Sequence, residues 1–232
     1  MIRMTQQSKQ LFWKFSNAFT KELRDTVIKG MDNGNLRPAE TVKRDLGKDE
    51  LTATEDKDIR DASIGTIVNK DINDHISSMM IIANKRAGWD FDITVNEKTQ
   101  FIKYKSPGGH FRPHSDTSFQ GPTATFQWKD DPPNEGFKVT QIADAYLLGS
   151  VRKISSTLLL NDEFSGGGMS LYYMALNDKE NASWSLGIEE VPLDLKAGDL
   201  IFFPSGVWHA VNPVTDGTRY ALVTWFGGPP IK

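Results

Sequence analysis

Two histidines and one aspartate, distant from one another in the chain, are residue types that hold transition metals. His114 and Asp116 form a His-x-Asp motif within residues 110–116, and His209 ends a second stretch at residues 198–209. Two imidazoles and one carboxylate suit a divalent iron that is held on one face of its coordination shell, with the other positions open. We therefore predict that His114, Asp116 and His209 bind Fe(II).

An arginine follows the second histidine by ten residues. Arg219 stands between apolar neighbours, where a lone guanidinium is costly to bury. The Asp216-Gly217 pair predicts a tight hairpin turn, which would place His209 and Arg219 on neighbouring antiparallel strands and on one wall of a cavity. The planar guanidinium suits bidentate binding of a carboxylate. If no protein acid faces Arg219, a dicarboxylate ligand is its natural partner, and we predict an anionic cosubstrate there.

Each of these residues also has an ordinary structural interpretation. A lone His-x-Asp occurs by chance in many chains; Asp116 could be a turn residue, His209 a packed core histidine and Arg219 half of an ion pair. The order of the motifs along the chain favours the metal site. Among the four histidines, His75 lies on the polar side of a predicted helix and has no expected role, whereas His110 is a candidate for touching substrate.

Composition excludes several classes of protein. The chain has 232 residues, a net charge of −3 and no cysteine, and its length fits one large domain over residues 1–232. The lack of cysteine excludes disulfides, Cys-bound zinc, iron–sulfur clusters and thiol nucleophiles. The small net charge gives no sign of a general nucleic-acid binder. We also expect no membrane span, because no apolar run reaches about 18 residues, and no secretion signal.

Two helices are expected in the first half of the chain. Apolar residues spaced by four predict one helix over residues 15–31. A second helix begins at Asn69 or Asp71, which could cap it. The charged stretch 35–63 between them is expected to be a loop or extended arm. The buried stripe of the second helix is Ile72, Ile76, Met79, Met80 and Ala83.

The second half changes from a helical to a strand-like hydrophobic period. Short strands between Gly- and Pro-rich turns predict a mainly β fold with buttressing helices (α+β), a double-stranded β-helix of the jelly-roll, cupin-like type. Residues 1–98 would form a helical support region and residues 99–232 the jelly-roll core. His114 and Asp116 would share one face of a strand because they are two apart. Residues 117–150 form an inserted loop, either a lid that contacts substrate or a surface insertion.

The motifs together resemble the 2-oxoglutarate/iron(II) dioxygenases, and within them the prolyl 4-hydroxylase-like group of small microbial and bacteriophage type. The likeness runs from about residue 60 to residue 230. Three stretches carry it: a strand at 100–104 before Gly-Gly and His-x-Asp, Ser-Thr-Leu-Leu-Leu-Asn-Asp before Gly-Gly-Gly, and the closing Gly-Thr-Arg-Tyr-Ala-Leu-Val-Thr-Trp-Phe.

The resemblance implies a role for each residue that matches the family pattern. His114, Asp116 and His209 would bind the iron, and Arg219 would bind the distal carboxylate of 2-oxoglutarate. Tyr104 matches a tyrosine that lines the cosubstrate pocket in relatives.

Other family positions give weaker expectations. Some relatives carry a tyrosine on the central strand where this chain has Leu159, so Ser155 or Thr157 is expected to offer the cosubstrate a hydroxyl instead. Trp225 matches an aromatic residue near the metal. The expected substrate contacts are Arg112, Trp128 and Trp225.

The resemblance further implies hydroxylation of an unactivated carbon, with a prolyl residue of a peptide or protein as the first expectation and succinate and carbon dioxide as products. Fe(II), 2-oxoglutarate and O2 are implied, with ascorbate as a candidate reductant. We expect a proline-containing peptide or protein partner, no nucleic acid, no membrane and a cytoplasmic location, which for a bacteriophage member means the host cytoplasm. Monomer and homodimer stay open.

Three other functions also stay open. They are a 2-oxoglutarate-dependent hydroxylase of a non-prolyl substrate, a cupin-like metal enzyme that does not use 2-oxoglutarate, and a jelly-roll binding module without catalysis.

Overall fold

The computed structural model of the protein describes residues 10–34, 36–45, 50–117, 149–179 and 183–230, so most of the predicted insert at 117–150 lies outside the described residues. Two helices are present, α1 (Lys21–Asp32) and α2 (Lys70–Arg86). The strands are β1 (Trp13–Phe15), β2 (Arg37–Pro38), β3 (Glu40–Asp45), β4 (Glu50–Glu55), β5 (Arg60–Asp61), β6 (Ser63–Thr66), β7 (Val95–Asn96), β8 (Gln100–Lys105), β9 (His110–His114), β10 (Val151–Leu159), β11 (Phe164–Gly166), β12 (Met169–Lys179), β13 (Ser183–Leu193), β14 (Leu200–Pro204), β15 (Trp208–Val211) and β16 (Val214–Gly228).

Most strands belong to two sheets that pack face to face. The larger, which we call the major sheet, has the order β1-β14-β10-β16-β8-β6-β2, and β7 and β11 also pair with β16. The minor sheet has the order β13-β12-β15-β9-β5. Between them, Met169 and Leu171 of the minor sheet pack against Ile201 and Phe203 of the major sheet. This arrangement confirms the predicted mainly β jelly roll with two helices.

The helices cover the outer face of the major sheet. Strand β10 shows how the sequence achieves this, because successive side chains of a strand point to opposite faces. Ile154 and Leu158 join the hydrophobic cluster under the helices, whereas Ser155 and Thr157 point into the space between the sheets. The apolar stripe of α2 behaves as predicted, with Ile72, Ile76, Met80 and Ala83 buried in that same cluster. Within the described residues, neither helix has the length and apolar content needed to cross a membrane.

The first helix starts later than the predicted residue 15. It begins at Lys21, and the Thr20 side chain caps it by accepting a hydrogen bond from the backbone N–H of Leu23. Phe15 instead lies in β1, opposite Leu200 of β14. The prediction was wrong here because the regular spacing of apolar residues continues across two different elements. The start of α2 was predicted well, since Asn69 is its cap.

The charged stretch at 35–63, predicted as a loop or extended arm, forms strands. It contains β2 and β5, the start of β6, and the separate β3–β4 hairpin. Strand β5 pairs with β9 and ends the minor sheet, while β6 pairs with β8 of the major sheet. Charged residues are common on edge strands, where they discourage pairing with other chains. The predicted helical support region at 1–98 therefore supplies edge strands as well as helices.

The Asp216-Gly217 pair does not form the predicted hairpin turn. Both residues lie inside β16, where Gly217 has a φ of 74° and sits opposite Phe164 of β11. Strand β16 pairs with β8 and β10 in the major sheet, whereas β15 lies in the minor sheet. His209 and Arg219 consequently belong to different sheets, and the predicted common wall was wrong.

Candidate metal centre

Three side chains that the sequence separates widely meet beside β9 and β15. His114, the last residue of β9, sits opposite His209 of β15, and their ring centroids are 4.2 Å apart. The Nε2 atom of His114 lies 3.7 Å from Oδ1 of Asp116, and the Nε2 atom of His209 lies 3.5 Å from Oδ2. One potential ligand atom from each residue lies within 4.8 Å of the other two. Three donor atoms at this spacing can bind one ion.

A bulge in β9 directs His114 towards this centre. His209 pairs with His114, but Val211 pairs with Phe111, so β9 carries one more residue than β15 over this interval. As a result both Phe111 and His114 face inward, and their rings stack with centroids 3.5 Å apart. The stacked Phe111 ring restricts the orientation of the His114 imidazole.

Hydrogen bonds select the same tautomer of both histidines. Nδ1 of His114 lies 2.9 Å from the carbonyl oxygen of Arg112, and Nδ1 of His209 lies 3.0 Å from that of Val207. Because a carbonyl oxygen only accepts, each Nδ1 carries the hydrogen and each Nε2 keeps its lone pair. Both lone pairs face Asp116, which is the donor arrangement that a divalent iron requires.

The third member of the group is not on the strand where the sequence placed it. Strand β9 ends at His114, and Asp116 lies in the bend that follows. Burial would raise the pKa of Asp116, but His209 and His114, then Arg152 and a hydrogen bond from Ser155, outweigh burial and lower that pKa to about 2. Burial, with His209 as the next cause, lowers the pKa of His114 to about 4. At neutral pH the site therefore offers an ionised carboxylate and a neutral His114 imidazole, both ready to bind a cation.

Arg219 approaches the space between the sheets from the major sheet. It is 2% exposed, and burial lowers its pKa. Its guanidinium carbon lies 5.4 Å from the centroid of the Tyr104 ring, and Tyr104 sits opposite it in the register of β8 and β16. Among the described residues, no carboxylate pairs with Arg219. A buried guanidinium without an acidic partner in the described part of the chain can accommodate an anion.

Comparison with known families agrees with this donor set. The model of the 2OG-Fe(II) oxygenase superfamily matches residues 99–227, which is more than half of the chain. The chain belongs to this superfamily. The predicted 2-oxoglutarate-dependent dioxygenase family is thus confirmed, and the match includes all three residues of the metal centre and Arg219.

Individual relatives of the chain are similar over shorter or more diverged stretches. A PKHD-type hydroxylase from Pseudomonas putida is 39% identical over 72 residues, 31% of this chain and 27% of that protein. Another from Idiomarina loihiensis is 33% identical over 88 residues, 37% of this chain and 34% of that protein. The matched part of the chain thus spans about a third or less of these relatives.

Solved structures share the fold of the chain. A prolyl-4-hydroxylase from Pseudomonas putida superposes with a TM-score of 0.54 at 18% identity, covering 93% of this chain and 91% of that one. A prolyl hydroxylase from Trichoplax adhaerens, in complex with a hypoxia inducible factor peptide fragment, gives a TM-score of 0.57 at 17% identity, covering 93% and 83%. At these identities the likeness supports the double-stranded β-helix alone.

The residues expected to contact the implied cosubstrate lie on the inner face of the major sheet. Tyr104 is buried beside Arg219, and Thr157 is buried on β10. Ser155 is also buried, but its hydroxyl lies 2.6 Å from Oδ2 of Asp116 and so contacts the metal centre directly.

The residues expected to contact substrate are more dispersed. Trp225 lies under the guanidinium of Arg152, whose carbon is 4.3 Å from a ring centroid of the tryptophan. Arg112 has an exposed side chain on β9. Both nitrogens of the His110 ring lie near backbone carbonyls, those of Gly108 and Asp58, while Trp128 lies outside the described residues.

Two residues of the site were missed by sequence reasoning. Ser205 was given no role from the sequence, yet it is fully buried and its hydroxyl lies 2.9 Å from that of Ser155. Arg152 binds Glu97 with two hydrogen bonds, of 2.5 and 2.7 Å, and stacks on Trp225. The small polar residue at the end of the buried β14 was the available signal for Ser205. No sequence signal pairs Arg152 with Glu97, because they are 55 residues apart.

Proposed function

We propose that the chain is an Fe(II)- and 2-oxoglutarate-dependent dioxygenase that hydroxylates an unactivated carbon of a prolyl residue in a peptide or protein, releasing succinate and carbon dioxide. One observation carries this proposal. Two imidazoles and a carboxylate lie close enough together to bind one ion. Arg219, also between the sheets, is buried and has no acidic partner among the described residues. The family match supports the same reading.

In this proposal His114 and His209 bind the iron through Nε2, and Asp116 binds it through its carboxylate. The iron, when bound, supplies the activation of O2 that is coupled to the oxidation of 2-oxoglutarate. The protein contributes the geometry of the ligands. The bonds from Nδ1 to the carbonyls of Arg112 and Val207 hold both rings with Nε2 towards the ion.

Arg219 binds the distal carboxylate of 2-oxoglutarate in this proposal. The side chain is preorganised, since it is buried beside Tyr104 before any ligand binds. Its charge needs a carboxylate, and the distal carboxylate of 2-oxoglutarate would supply one. Tyr104 and Thr157 line the same inner face and exclude water from the cosubstrate.

The choice of a prolyl substrate takes its support from relatives. The Pseudomonas putida structure is a prolyl-4-hydroxylase, and the Trichoplax adhaerens enzyme is seen with a peptide fragment. We propose that a peptide substrate contacts Trp225 and Arg112. Ascorbate as the reductant and a cytoplasmic location stay predictions.

The test is turnover by the purified protein with Fe(II), 2-oxoglutarate, O2 and a set of proline-containing peptides. We expect succinate to form and one peptide to gain the mass of one oxygen atom. His114→Ala should abolish both signals. His75→Ala is the matched control, because that imidazole contacts the carbonyl of Ala18, away from the site, and it should leave turnover intact.

Other outcomes separate the alternatives. Succinate formation with hydroxylation of a non-prolyl compound would keep the oxygenase and reject the prolyl substrate. Metal binding without 2-oxoglutarate binding would indicate a cupin-like metal enzyme. Turnover that persists in His114→Ala would reject the proposed metal centre.

A further inference from the structure

The position of Asp116 depends on a contact with the major sheet. Because Asp116 lies beyond the end of β9, no strand pairing fixes it. The carbonyl oxygen of Ser205 accepts hydrogen bonds from the backbone N–H groups of Asp116, at 3.0 Å, and Thr117, at 3.2 Å. It also accepts one from the hydroxyl of Ser115, at 3.2 Å. Ser205, just after β14, thus anchors the backbone of the bend that carries the carboxylate.

The side chain of Asp116 is held from the same direction. Ser155 of β10 is 1% exposed, and its hydroxyl lies 2.6 Å from Oδ2 of Asp116. The hydroxyl of Ser205 lies 2.9 Å from that of Ser155. A carboxylate only accepts, and a serine hydroxyl has one hydrogen. Ser155 therefore donates to Asp116, and Ser205 donates to Ser155.

We propose that Ser155 and Ser205 are positioning residues that fix the carboxylate of Asp116 for metal binding. This inference rests on the proposed function and adds to it. The serine pair orders the carboxylate in the metal-free protein, so the ion meets a formed site. Ser205 contributes in two ways. Its carbonyl oxygen accepts hydrogen bonds from the backbone of the bend, and its hydroxyl donates to Ser155.

This arrangement favours a different role for Ser155 from the expected cosubstrate contact. Its single hydrogen is committed to Asp116, so donation to a carboxylate of 2-oxoglutarate would break the contact with the metal ligand. Thr157 lies two residues along the same face of β10. Its hydroxyl has no hydrogen-bond partner among the described residues, so Thr157 stays the candidate for contact with the cosubstrate.

The strand itself supplies a matched control. Ser156 is 3% exposed, and its hydroxyl donates to the carbonyl of Thr224 at 3.0 Å, on the face of β10 that points away from the metal centre. Ser156→Ala removes one buried hydrogen bond from β10, whereas Ser155→Ala removes two, with Asp116 and with Ser205. Only Ser155→Ala removes a bond to a metal ligand.

The experiment titrates metal-free protein with Mn(II), and separately with Co(II), by calorimetry, and records the visible spectrum of the Co(II) form. We expect Ser155→Ala to weaken metal binding by about 10- to 100-fold and to change the Co(II) spectrum. Ser205→Ala should weaken binding less, because the carbonyl anchor and the Ser155 hydroxyl both remain. Ser156→Ala should match the wild type in affinity and spectrum even where it lowers the melting temperature.

The outcomes distinguish the positioning role of the two serines from the proposed function. Equal metal affinity and spectra for the wild type, Ser155→Ala and Ser205→Ala would overturn the positioning role while leaving the proposed function intact. A wild-type protein that binds neither ion would overturn the proposed function together with this inference. If Ser155→Ala does not fold, Ser205→Ala alone decides, and wild-type affinity and spectrum in it would reject the inference.

Discussion

Replacing Arg219 with methionine should stabilise the ligand-free protein while removing its response to 2-oxoglutarate. Arg219 is 2% exposed and has no acidic partner among the described residues. A buried ion costs several kcal/mol, and the Tyr104 ring, 5.4 Å from the guanidinium carbon, returns about 0.5–2 kcal/mol. Methionine fills similar space without charge. We expect Arg219→Met to be more stable by about 2 kcal/mol, or about 4–8 °C in melting temperature.

The cosubstrate should reverse this order. A ligand that binds only the folded state stabilises that state by about 2.7 kcal/mol when the ligand concentration is about 100 times the dissociation constant. The wild type should gain this amount from 2-oxoglutarate, whereas Arg219→Met should gain little. The measurement is a thermal melt of both proteins with Mn(II), which prevents turnover, at rising 2-oxoglutarate concentrations. Arg37→Met serves as the control, because Arg37 is exposed and pairs with Glu40 on the surface.

Two results would refute the reasoning at different points. A ligand-free Arg219→Met protein less stable than the wild type would mean that the guanidinium is already satisfied in the folded state. An undiminished rise in melting temperature with 2-oxoglutarate in that variant would mean that the cosubstrate carboxylate binds elsewhere.

Gly167 has a φ of 64°, and a Cβ there would lie 3.2 Å from Cδ of Arg219. Gly167→Ala should cost about 1–2 kcal/mol of stability in urea denaturation and should also weaken 2-oxoglutarate binding. Gly88→Ala is the control, because Gly88 has a φ of 73° and a Cβ there would have nothing near it. This control should show the loss of stability alone. Acid should destabilise the metal-free protein by about 3 kcal/mol between pH 6.5 and pH 4, because the pKa of His114 is held at about 4 and the unfolded chain binds the proton first. Asp116, with a pKa of about 2, stays ionised in the folded protein over that range. Urea denaturation of His114→Gln should lose the part of the pH dependence that His114 contributes, and a variant with the same dependence as the wild type would contradict the assignment.

The convergence of the site was predictable because it depends on residue types and their order. His114, Asp116 and His209 were selected by their chemistry, and Arg219 by the cost of burying it among apolar neighbours. None of these arguments needs the correct register. His114, Asp116 and His209 are therefore close together, although the structure places His209 and Arg219 on strands of different sheets.

The failures share a physical cause, since local signals were overruled by pairing between distant strands. Asp216-Gly217 has the composition of a hairpin turn, yet β16 continues through it because β8 and β11 pair with that part of the strand. Phe15 continues the spacing of the first helix, but pairing with β14 draws it into β1. The residues at 35–63 lack apolar periodicity, and they still form strands because β5 pairs with β9, β6 pairs with β8, and β3 and β4 pair with each other.

The separation of charges explains why the site can be built from buried groups at all. Within the described residues, Asp116 and Arg219 form no ion pair with each other, although both point into the space between the sheets. Asp116 accepts a hydrogen bond from the Ser155 hydroxyl and lies beside the two imidazoles, whereas Arg219 lies against the Tyr104 ring. Had the two met, each would have neutralised the other and neither would bind a ligand. Keeping them apart leaves a carboxylate for a cation and a guanidinium for an anion, which a metal-chelating dicarboxylate can satisfy together.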